Sequence, residues 1–399
     1  MPSIAETFLR SAPVVSGTDY VPRLVTYVLE SARNAAATDV HLVPHSDGLH
    51  MNWRIDGVLH PVTVFEPEFT PKIVARLKVI SGLLTYRTDV PQEGRISADG
   101  EVETRVSTFP TLHGEKAVVR LFATDGRFER LQQLGLPDDI GGKLKRLLNE
   151  TSGVILLTGP AGSGKTTTIY ASLREIVDES QGRRSLVSLE DPIEVVVPGV
   201  SQSQVNDSVE FTLANGLRSL MRQDPEVIMV GEIRDQLTAE TVFQASLTGH
   251  LVITTFHAGS AAGAISRLLD MGIEPYLLRS SLRAIVSQRL MRCLCQCAVN
   301  DDSITDALGL ESARKPVGCE QCRGTGYVGR TLLTEMIEPE SGATAHAILD
   351  KQDTNTIEAA AISSGMISQR QRAIEAIESG VTSIEEVYRI LGRLSDHDD

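Results

Sequence analysis

"GVILLTGPAGSGKTTT", Gly153–Thr168, decides what kind of chain this is. Val154 to Thr158 run without a charge, as does a strand buried on both faces of a parallel sheet. Gly159 to Thr166 then match G-x-x-x-x-G-K-[ST] at every fixed position, and a helix is expected to begin near Gly164. The chemistry needs these residue types. Glycines let backbone N–H groups curl around phosphate oxygens. The helix N-terminus adds a partial positive charge. Lys165 is placed to reach the β- and γ-phosphates of ATP, and the Thr166 hydroxyl to ligate Mg²⁺. Gly159, Gly162, Ser163, Gly164, Lys165, Thr166 and Thr167 are therefore the expected nucleotide-binding residues. A glycine-rich turn with a chance Lys-Thr is the bland alternative; the strand before and the helix after count against it.

Three further segments bear on what such a site does. "SLEDPIE" sets Glu190, Asp191 and Glu194 just past an expected strand end, where ligands bind in open α/β sheets. "VIMVGEIRD" sets Glu232 at another strand end, and "GHLVITTFHA" puts His250 before a strand and His257 after it. Carboxylates hold Mg²⁺ or orient water, and a histidine can contact the γ-phosphate. Singly, each is an ordinary solvated loop residue. Together, at strand ends beside a phosphate loop, they suit hydrolysis.

Outward from this core, the chain divides. With 399 residues it is too long for one simple core. From about residue 132, apolar runs alternate with helical stretches, the pattern of a parallel α/β sheet. Residues 1 to about 123 read as a small α+β domain. Leu24, Val25, Val28, Leu29 and Ala32 keep helical spacing over 24–36, with Thr18 or Asp19 available as a cap. "LHMNWRI" alternates, Asp56-Gly57 marks a turn, and "VLHPV" pairs back as a hairpin. Residues 71–84 return to helix, and "VETRVST" sets Glu103, Arg105 and Ser107 on the polar face of a strand before "KAVVRLF". "ATDGRFERLQQLGLP" is a linker. After residue 337 the pattern is helical, with a capping box at Ser383–Glu386 and an acidic tail "SDHDD" expected to be disordered.

Composition excludes several classes. The hydrophobic content of 41% is that of a soluble globular protein, and no apolar run reaches the length of a membrane span. The start does not read as a signal peptide, so a cytoplasmic protein is expected. A net charge of −14 argues against a nucleic-acid partner. All five cysteines lie between Cys293 and Cys322, where a cytoplasmic location disfavours disulfides.

At these residues the chain resembles the secretion ATPases of the type II secretion and type IV pilus assembly family. "GPAGSGKTTT" resembles their Walker A, "SLEDPIE" their Asp box, "LMRQDPEVIMVGEIRD" their Walker B region and "GHLVITTFHA" their His box. "ATDVHLVPHSDGLHMNWRIDGVL" resembles their second N-terminal domain, and "PQEGRIS" with "ETRVSTFPTLHGEKAVVRL" its arginine-bearing strands. The match runs from about residue 21 to 392.

The resemblance implies an α/β fold. A RecA-like P-loop ATPase core follows a small α+β, PAS-like N-terminal domain, with a cysteine-bearing insertion and C-terminal helices. The implied boundaries are 1–123 for the N-terminal domain, 124–136 for the linker and 137–399 for the ATPase domain, with a metal-binding segment at 291–336 and helices at 337–399. It implies a homohexamer with ATP between domains. Glu190, Glu232 and then Glu194 would organise water and metal, without a ranking of the first two, and His257 would sit near the γ-phosphate. Arg95, Arg105 and Arg120 would reach the triphosphate, and Arg218, Arg222 and Arg234 would serve subunit contacts. A surface ion pair is the ordinary fate of an exposed arginine. Arg105 stands out because it lies on the polar face of an alternating strand. The implied partners are inner-membrane platform and docking proteins, with the protein peripheral on that membrane and touching it only through them.

Assembly-type members of the family carry a tetracysteine zinc site with two C-x-x-C pairs. Cys319 and Cys322 form one intact pair, followed by "RGTGYVGR". In "RCLCQC" the other pair is altered: Cys295-x-Cys297 is one residue short, and Cys293-x-x-x-Cys297 one residue long. Four of Cys293, Cys295, Cys297, Cys319 and Cys322 are the expected Zn²⁺ ligands. Free buried cysteines are the alternative; a redox pair lacks a thioredoxin-like context. The second N-terminal domain begins almost at once, so a short form without the first N-terminal domain is expected. Retraction motors of the family usually lack the cysteine insertion, and their "AIRNLIRE"-like segment has no counterpart here. An assembly or secretion motor is therefore favoured over a retraction motor. A RecA-like nucleic-acid motor would need a basic groove. A scaffold with degenerate catalysis would not need Lys165, Thr166, Glu190 and Glu232 intact.

Overall fold

Asp56 and Gly57 both take positive φ, 49° and 80°, and join two strands paired Ile55 to Val58. That is the two-residue turn whose twist matches the flanking strands, at the place the Asp-Gly pair marks. The computed structural model describes residues 4–10, 12–13, 19–96, 104–121, 128–340 and 342–393. Glu103, linker residues 124–127 and the acidic tail lie outside them.

The chain forms two compact units. One comprises Met1–Asp125, Arg292–Asn300 and Arg314–Gly329; the other Gly126–Met291, Asp301–Ala313 and Arg330–Asp399.

In the first unit, helices α1 (Ile4–Arg10), α2 (Tyr20–Asn34) and α3 (Thr70–Ile80) accompany strands β1 (Ala37–His45), β2 (Gly48–Ile55), β3 (Val58–Phe65), β4 (Gln92–Ile96), β5 (Thr104–Thr111) and β6 (Gly114–Leu121). The sheet order is β3-β2-β1-β6-β5-β4. Alternation sends Val40, Leu42, Met51, Trp53, Val106 and Val119 into the core beside Leu24, Val28 and Leu77 of α2 and α3. Helix α2 starts four residues before the expected 24; Asp19 precedes it without a side-chain cap.

The second unit carries α4 (Asp138–Leu147), β7 (Gly153–Thr158), α5 (Lys165–Ser180), β8 (Leu186–Glu190), β9 (Ser201–Gln204), α6 (Leu213–Leu220), β10 (Val227–Val230), α7 (Gln236–Leu247), β11 (Leu251–Phe256), α8 (Ala261–Asp270) and α9 (Pro275–Ser281). Strand β12 (Leu282–Leu294) leads into the cysteine-bearing segment with β13 (Val299–Asn300), α10 (Asp302–Leu308) and β14 (Arg314–Lys315), and β15 (Tyr327–Ile337) leads out. Helices α11 (Gly342–Leu349), α12 (Thr354–Ser363), α13 (Gln369–Glu378) and α14 (Ile384–Leu391) follow. The seven-stranded sheet runs β15-β12-β7-β11-β10-β8-β9. Every residue of β7, β8, β10 and β11 is buried, and these strands pair in parallel, as their unbroken apolar runs require. The Ser383 hydroxyl accepts from the Glu386 N–H at 3.4 Å, capping α14 as expected.

Among the described residues, no helix is long and apolar enough to cross a membrane.

Candidate active site and metal cluster

Register brings the motif residues to one edge of the parallel sheet. Thr158 of β7 pairs with Phe256 of β11, and Val230 of β10 pairs with Thr254 and Leu189. The phosphate loop, His257, Glu232 and Asp191 therefore all emerge at the carboxyl edge. Gly159 has φ 144°, and a Cβ there would collide with the Gln288 carbonyl oxygen, so glycine is required. Gln288, fully buried on β12, donates its amide to the Ser163 carbonyl at 2.9 Å and braces the loop from behind. Lys165 opens α5; its ammonium donates to the Gly159 and Pro160 carbonyls at 2.8 and 2.9 Å. Burial pulls its pKa below the usual lysine value, and the Glu232 charge opposes that shift. Thr166 is half-buried and Thr167 exposed on the first turn of α5.

Glu232 binds its neighbours on both carboxylate oxygens. One meets the Arg234 guanidinium and the other His257 Nε2 at 3.2 Å. Arg234 also donates to Asp191 at 2.7 Å, and its pKa is raised first by the Glu232 hydrogen bond. The Arg267 guanidinium donates to the His257 carbonyl at 2.6 Å and fixes the turn after β11. Lys165, Glu232, His257, Arg234 and Asp191 thus form one polar cluster.

Glu190 lies apart, 2% exposed. Its Oε2 accepts from the Tyr170 hydroxyl at 2.5 Å; its Oε1 accepts from the Ser188 hydroxyl at 2.5 Å and the Gln202 amide at 2.9 Å. Glu194 is exposed, and its backbone N–H donates to the Tyr170 oxygen at 3.1 Å. No local motif announces Tyr170, Ser188 or Gln202, which come from α5, β8 and β9. His250 is occupied structurally: its Nδ1 contacts the Ala245 carbonyl at 2.9 Å at the end of α7. Arg222 donates to the Arg218 carbonyl at 2.9 Å at the end of α6.

In the first unit, Arg95 pairs with Arg105, Arg105 with Arg120, Arg120 with Asp39, and Asp39 with Arg54. Directly opposed residues share a sheet face, so four arginines and one aspartate form a row across five strands. Asp39 is buried; it accepts from Arg120 Nε at 3.0 Å and lies 3.6 Å from Arg54 Nε. Burial, then the charges of Arg54, Lys116 and Arg120, holds the nearby His41 imidazole below its usual range, with Asp39 opposing. Four cations thus share this face with one carboxylate. Asp39 and Arg54 were not among the expected site residues, because only strand register places them in this row.

Cys295, Cys297, Cys319 and Cys322 converge with all four sulfurs within 4.8 Å of one another; Cys293 is not in the cluster. The Cys295–Cys319, Cys319–Cys322 and Cys297–Cys322 separations are 3.6, 3.7 and 3.9 Å. Four sulfurs about 2.3 Å from a tetrahedral centre lie about 3.8 Å apart, so the set fits a metal ion. The short Cys295-x-Cys297 spacing works because the chain turns there: the Ala298 N–H donates to the Cys295 carbonyl at 2.9 Å. Burial pushes the Cys322 thiol up, but the N–H groups of Cys319 and Gly326 outweigh it and hold the thiol down to about 7.

Comparisons with known proteins agree with this geometry. A family model described as "Type II/IV secretion system protein" matches residues 15–389. "Type II secretion system protein E" of Aeromonas hydrophila is 41% identical over 97% of this chain and 79% of its own length. "Type IV pilus assembly ATPase TfpB" of Acinetobacter baylyi is 36% identical over 93% of this chain and 66% of its own. The solved structure of the pilus retraction motor PilT with bound ADP superposes with a TM-score of 0.60 at 25% identity, covering 92% of this chain and 96% of that one.

Proposed function

The chain belongs to the type II/IV secretion system protein family, and from that premise we propose that it is a hexameric motor powering assembly of pilus or pseudopilus subunits at the bacterial inner membrane. It is a P-loop ATP hydrolase. The observation that carries the reading is the convergence of Lys165, Glu232 and His257 at one sheet edge behind an intact phosphate loop.

The residues divide the work by position. Neighbouring strands lie about 4.8 Å apart, and the sheet order sets β11 next to β7, then β10, then β8. His257 is therefore one strand from the phosphate loop, Glu232 two and Glu190 three. Lys165 neutralises the β- and γ-phosphates. The Thr166 hydroxyl and Glu232 carboxylate are hard oxygen donors of the kind Mg²⁺ takes; that ion, when bound, neutralises charge developing on the phosphate oxygens. A strand-end carboxylate orients the attacking water and accepts its proton as the water oxygen bonds to the γ-phosphorus; Glu190, which is buried, and Glu232 are its two unranked candidates. The bond to the bridging oxygen breaks, and ADP and phosphate leave. His257 reports the γ-phosphate to Glu232. Arg95, Arg105 and Arg120 supply positive charge to the triphosphate. Glu194, exposed near the same strand end, is the third acidic candidate.

A nucleotide shifts a conformational equilibrium only through contacts that differ between its states, and hydrolysis removes such contacts in turn around a ring. We assign Zn²⁺ to Cys295, Cys297, Cys319 and Cys322, as a closed structural site. The partners are membrane platform and docking proteins, which supply the membrane contact of an otherwise cytoplasmic protein; nucleic acid is not a partner. Type II secretion is preferred because the 41% identical relative carries that name. Deleting the gene in its host tests this: lost export supports secretion, lost surface fibres support pilus assembly, and the loss of neither overturns the transport reading.

A further inference from the structure

Strand β12 braces two turns with two consecutive side chains. Successive residues of a strand point to opposite faces. Gln288 goes one way and holds the phosphate loop. Arg289, half-buried, goes the other way, and its Nη2 donates to the Gly259 carbonyl at 3.0 Å. Gly259 stands two residues after His257, in the turn between β11 and α8. Four elements hold that turn by its backbone. The His257 carbonyl accepts from Arg267 of α8 at 2.6 Å, and the Ala258 N–H donates to the Thr158 hydroxyl of β7 at 3.0 Å. Arg289 of β12 holds Gly259, and the Ala261 N–H donates to the Glu335 carboxylate of β15 at 2.7 Å. A satisfied polar network of this kind rigidifies what it holds, and the His257 ring is carried on it.

Two of these side chains are themselves anchored on the C-terminal helices. Arg289 Nη1 donates to the Ile390 carbonyl of α14 at 2.8 Å, and its Nε donates to the Gln369 side-chain oxygen at 3.2 Å. The second oxygen of Glu335 accepts from the Gln369 N–H at 3.0 Å, at the first residue of α13. Glu335 and Gln369 are buried. Burial pulls the Arg289 pKa below the usual arginine value, and the Glu335 charge opposes that shift. The guanidinium stays charged, and its planar fork fixes the direction of each bond. Anchored on α13 and α14, it holds the Gly259 carbonyl in one place.

We propose that Arg289 is a positioning residue for ATP hydrolysis: through the Gly259 carbonyl it fixes the turn that aims the His257 ring at Glu232. This rests on the reading of His257 as a residue of the ATP site. The competing account is a polar junction that only docks α13 and α14. The two differ in what they do to turnover. A docking junction affects stability and leaves kcat of the folded protein unchanged. A positioning contact affects kcat, since a misplacement of about 1 Å caused from a distance can cost about a hundredfold. It leaves KM for ATP unchanged, because Arg289 is not assigned to the nucleotide.

The test is steady-state ATP turnover by the full chain with Mg²⁺, alongside thermal melting. In Arg289→Ala, kcat is expected to fall about tenfold, the loss of one charge-assisted hydrogen bond to the turn, with KM for ATP unchanged. On a His257→Ala background, Arg289→Ala is expected to add nothing to the loss of kcat, because it acts through that ring. Wild-type kcat in Arg289→Ala, a rise in KM alone, or full additivity with His257→Ala would each overturn the proposal. Should Arg289→Ala melt below the assay temperature, Arg289→Lys decides. It keeps the charge and loses the fork; a lower kcat at unchanged KM and melting temperature supports the positioning role, and wild-type kcat overturns it. His257→Ala alone keeps the two readings distinct. Its undiminished turnover would remove the reading of His257 and this inference with it, whereas a silent Arg289→Ala beside an impaired His257→Ala removes only this inference.

Discussion

The Arg323 guanidinium donates to the Ala35 carbonyl at 3.2 Å and to the Asn34 carbonyl at 3.5 Å, so the residue after Cys322 closes the end of helix α2. The last carbonyls of a helix lack intrahelical partners, and a cation there is favourable. Arg323 is itself held at φ 52° by the turn that carries the cysteine pair. A second tie runs from β15 to the β2–β3 turn: the Gly329 N–H donates to the Asp56 carboxylate at 3.2 Å.

The first prediction follows from that contact. Stripping the metal with a chelator should loosen the end of α2. Hydrogen exchange at the Ala35 amide, which bonds the Ser31 carbonyl at 3.0 Å, should accelerate, while exchange in α5 stays unchanged. Arg323→Ala should reproduce part of the effect, with a stability cost of up to about 1 kcal/mol. Unchanged exchange after complete metal removal would refute the coupling.

The cysteine geometry predicts which thiols matter. Cys293→Ser should retain about one zinc per chain by elemental analysis, because a structural zinc site uses four ligands and Cys293 is the cysteine outside the cluster. Cys319→Ser and Cys322→Ser should lose it. Metal ligands must be deprotonated, and the Cys322 thiol is held down to about 7. Cys295, in the same set, is instead pushed up to about 11, so zinc binding should release protons and its affinity should weaken steadily as pH falls across neutrality, as a competition titration would measure.

For hydrolysis, Lys165→Ala should lower turnover by a hundredfold or more, the scale for removing a charge-stabilising donor. Lys165 donates to two carbonyls of its own loop, so the melting temperature should change little. Glu232→Gln should reduce turnover and raise the Mg²⁺ concentration needed for half-maximal rate. Turnover insensitive to Glu232→Gln would remove it from the metal assignment.

The arginine row yields a fourth test. Arg105→Ala should lower turnover with little loss of stability. Arg120 is 63% exposed at its side chain, so its pair with Asp39 contributes about 1 kcal/mol at most. Asp39→Asn should also lower turnover, by releasing Arg120 from its fixed rotamer. Combined with Arg120→Ala, Asp39→Asn should have no additional effect on rate.

Much of this was legible from local pattern. The phosphate loop, the Asp-Gly turn and the three further strand-end motifs declare themselves within a few residues each, because glycine conformation, apolar runs and turn chemistry are short-range. What escaped is long-range. Tyr170, Ser188 and Gln202 meet at Glu190 only after α5, β8 and β9 have packed. Asp39 joins the arginine row through β1–β6 register, which no spacing encodes. The choice of Cys295 over Cys293 depended on a tight turn at Ala298 that the abnormal spacing hid.

The chain passes between its two compact units after Asp125, Met291, Asn300, Ala313 and Gly329. The first unit is consequently not a genetic cassette. Expressed as residues 1–125, it would lack both stretches that carry the cysteines and the arginine that finishes α2. Swapping N-terminal domains between relatives at that boundary would transplant a piece built to match another protein's metal segment. Productive chimeras of this protein should require exchange of residues 292–300 and 314–329 along with the first 125.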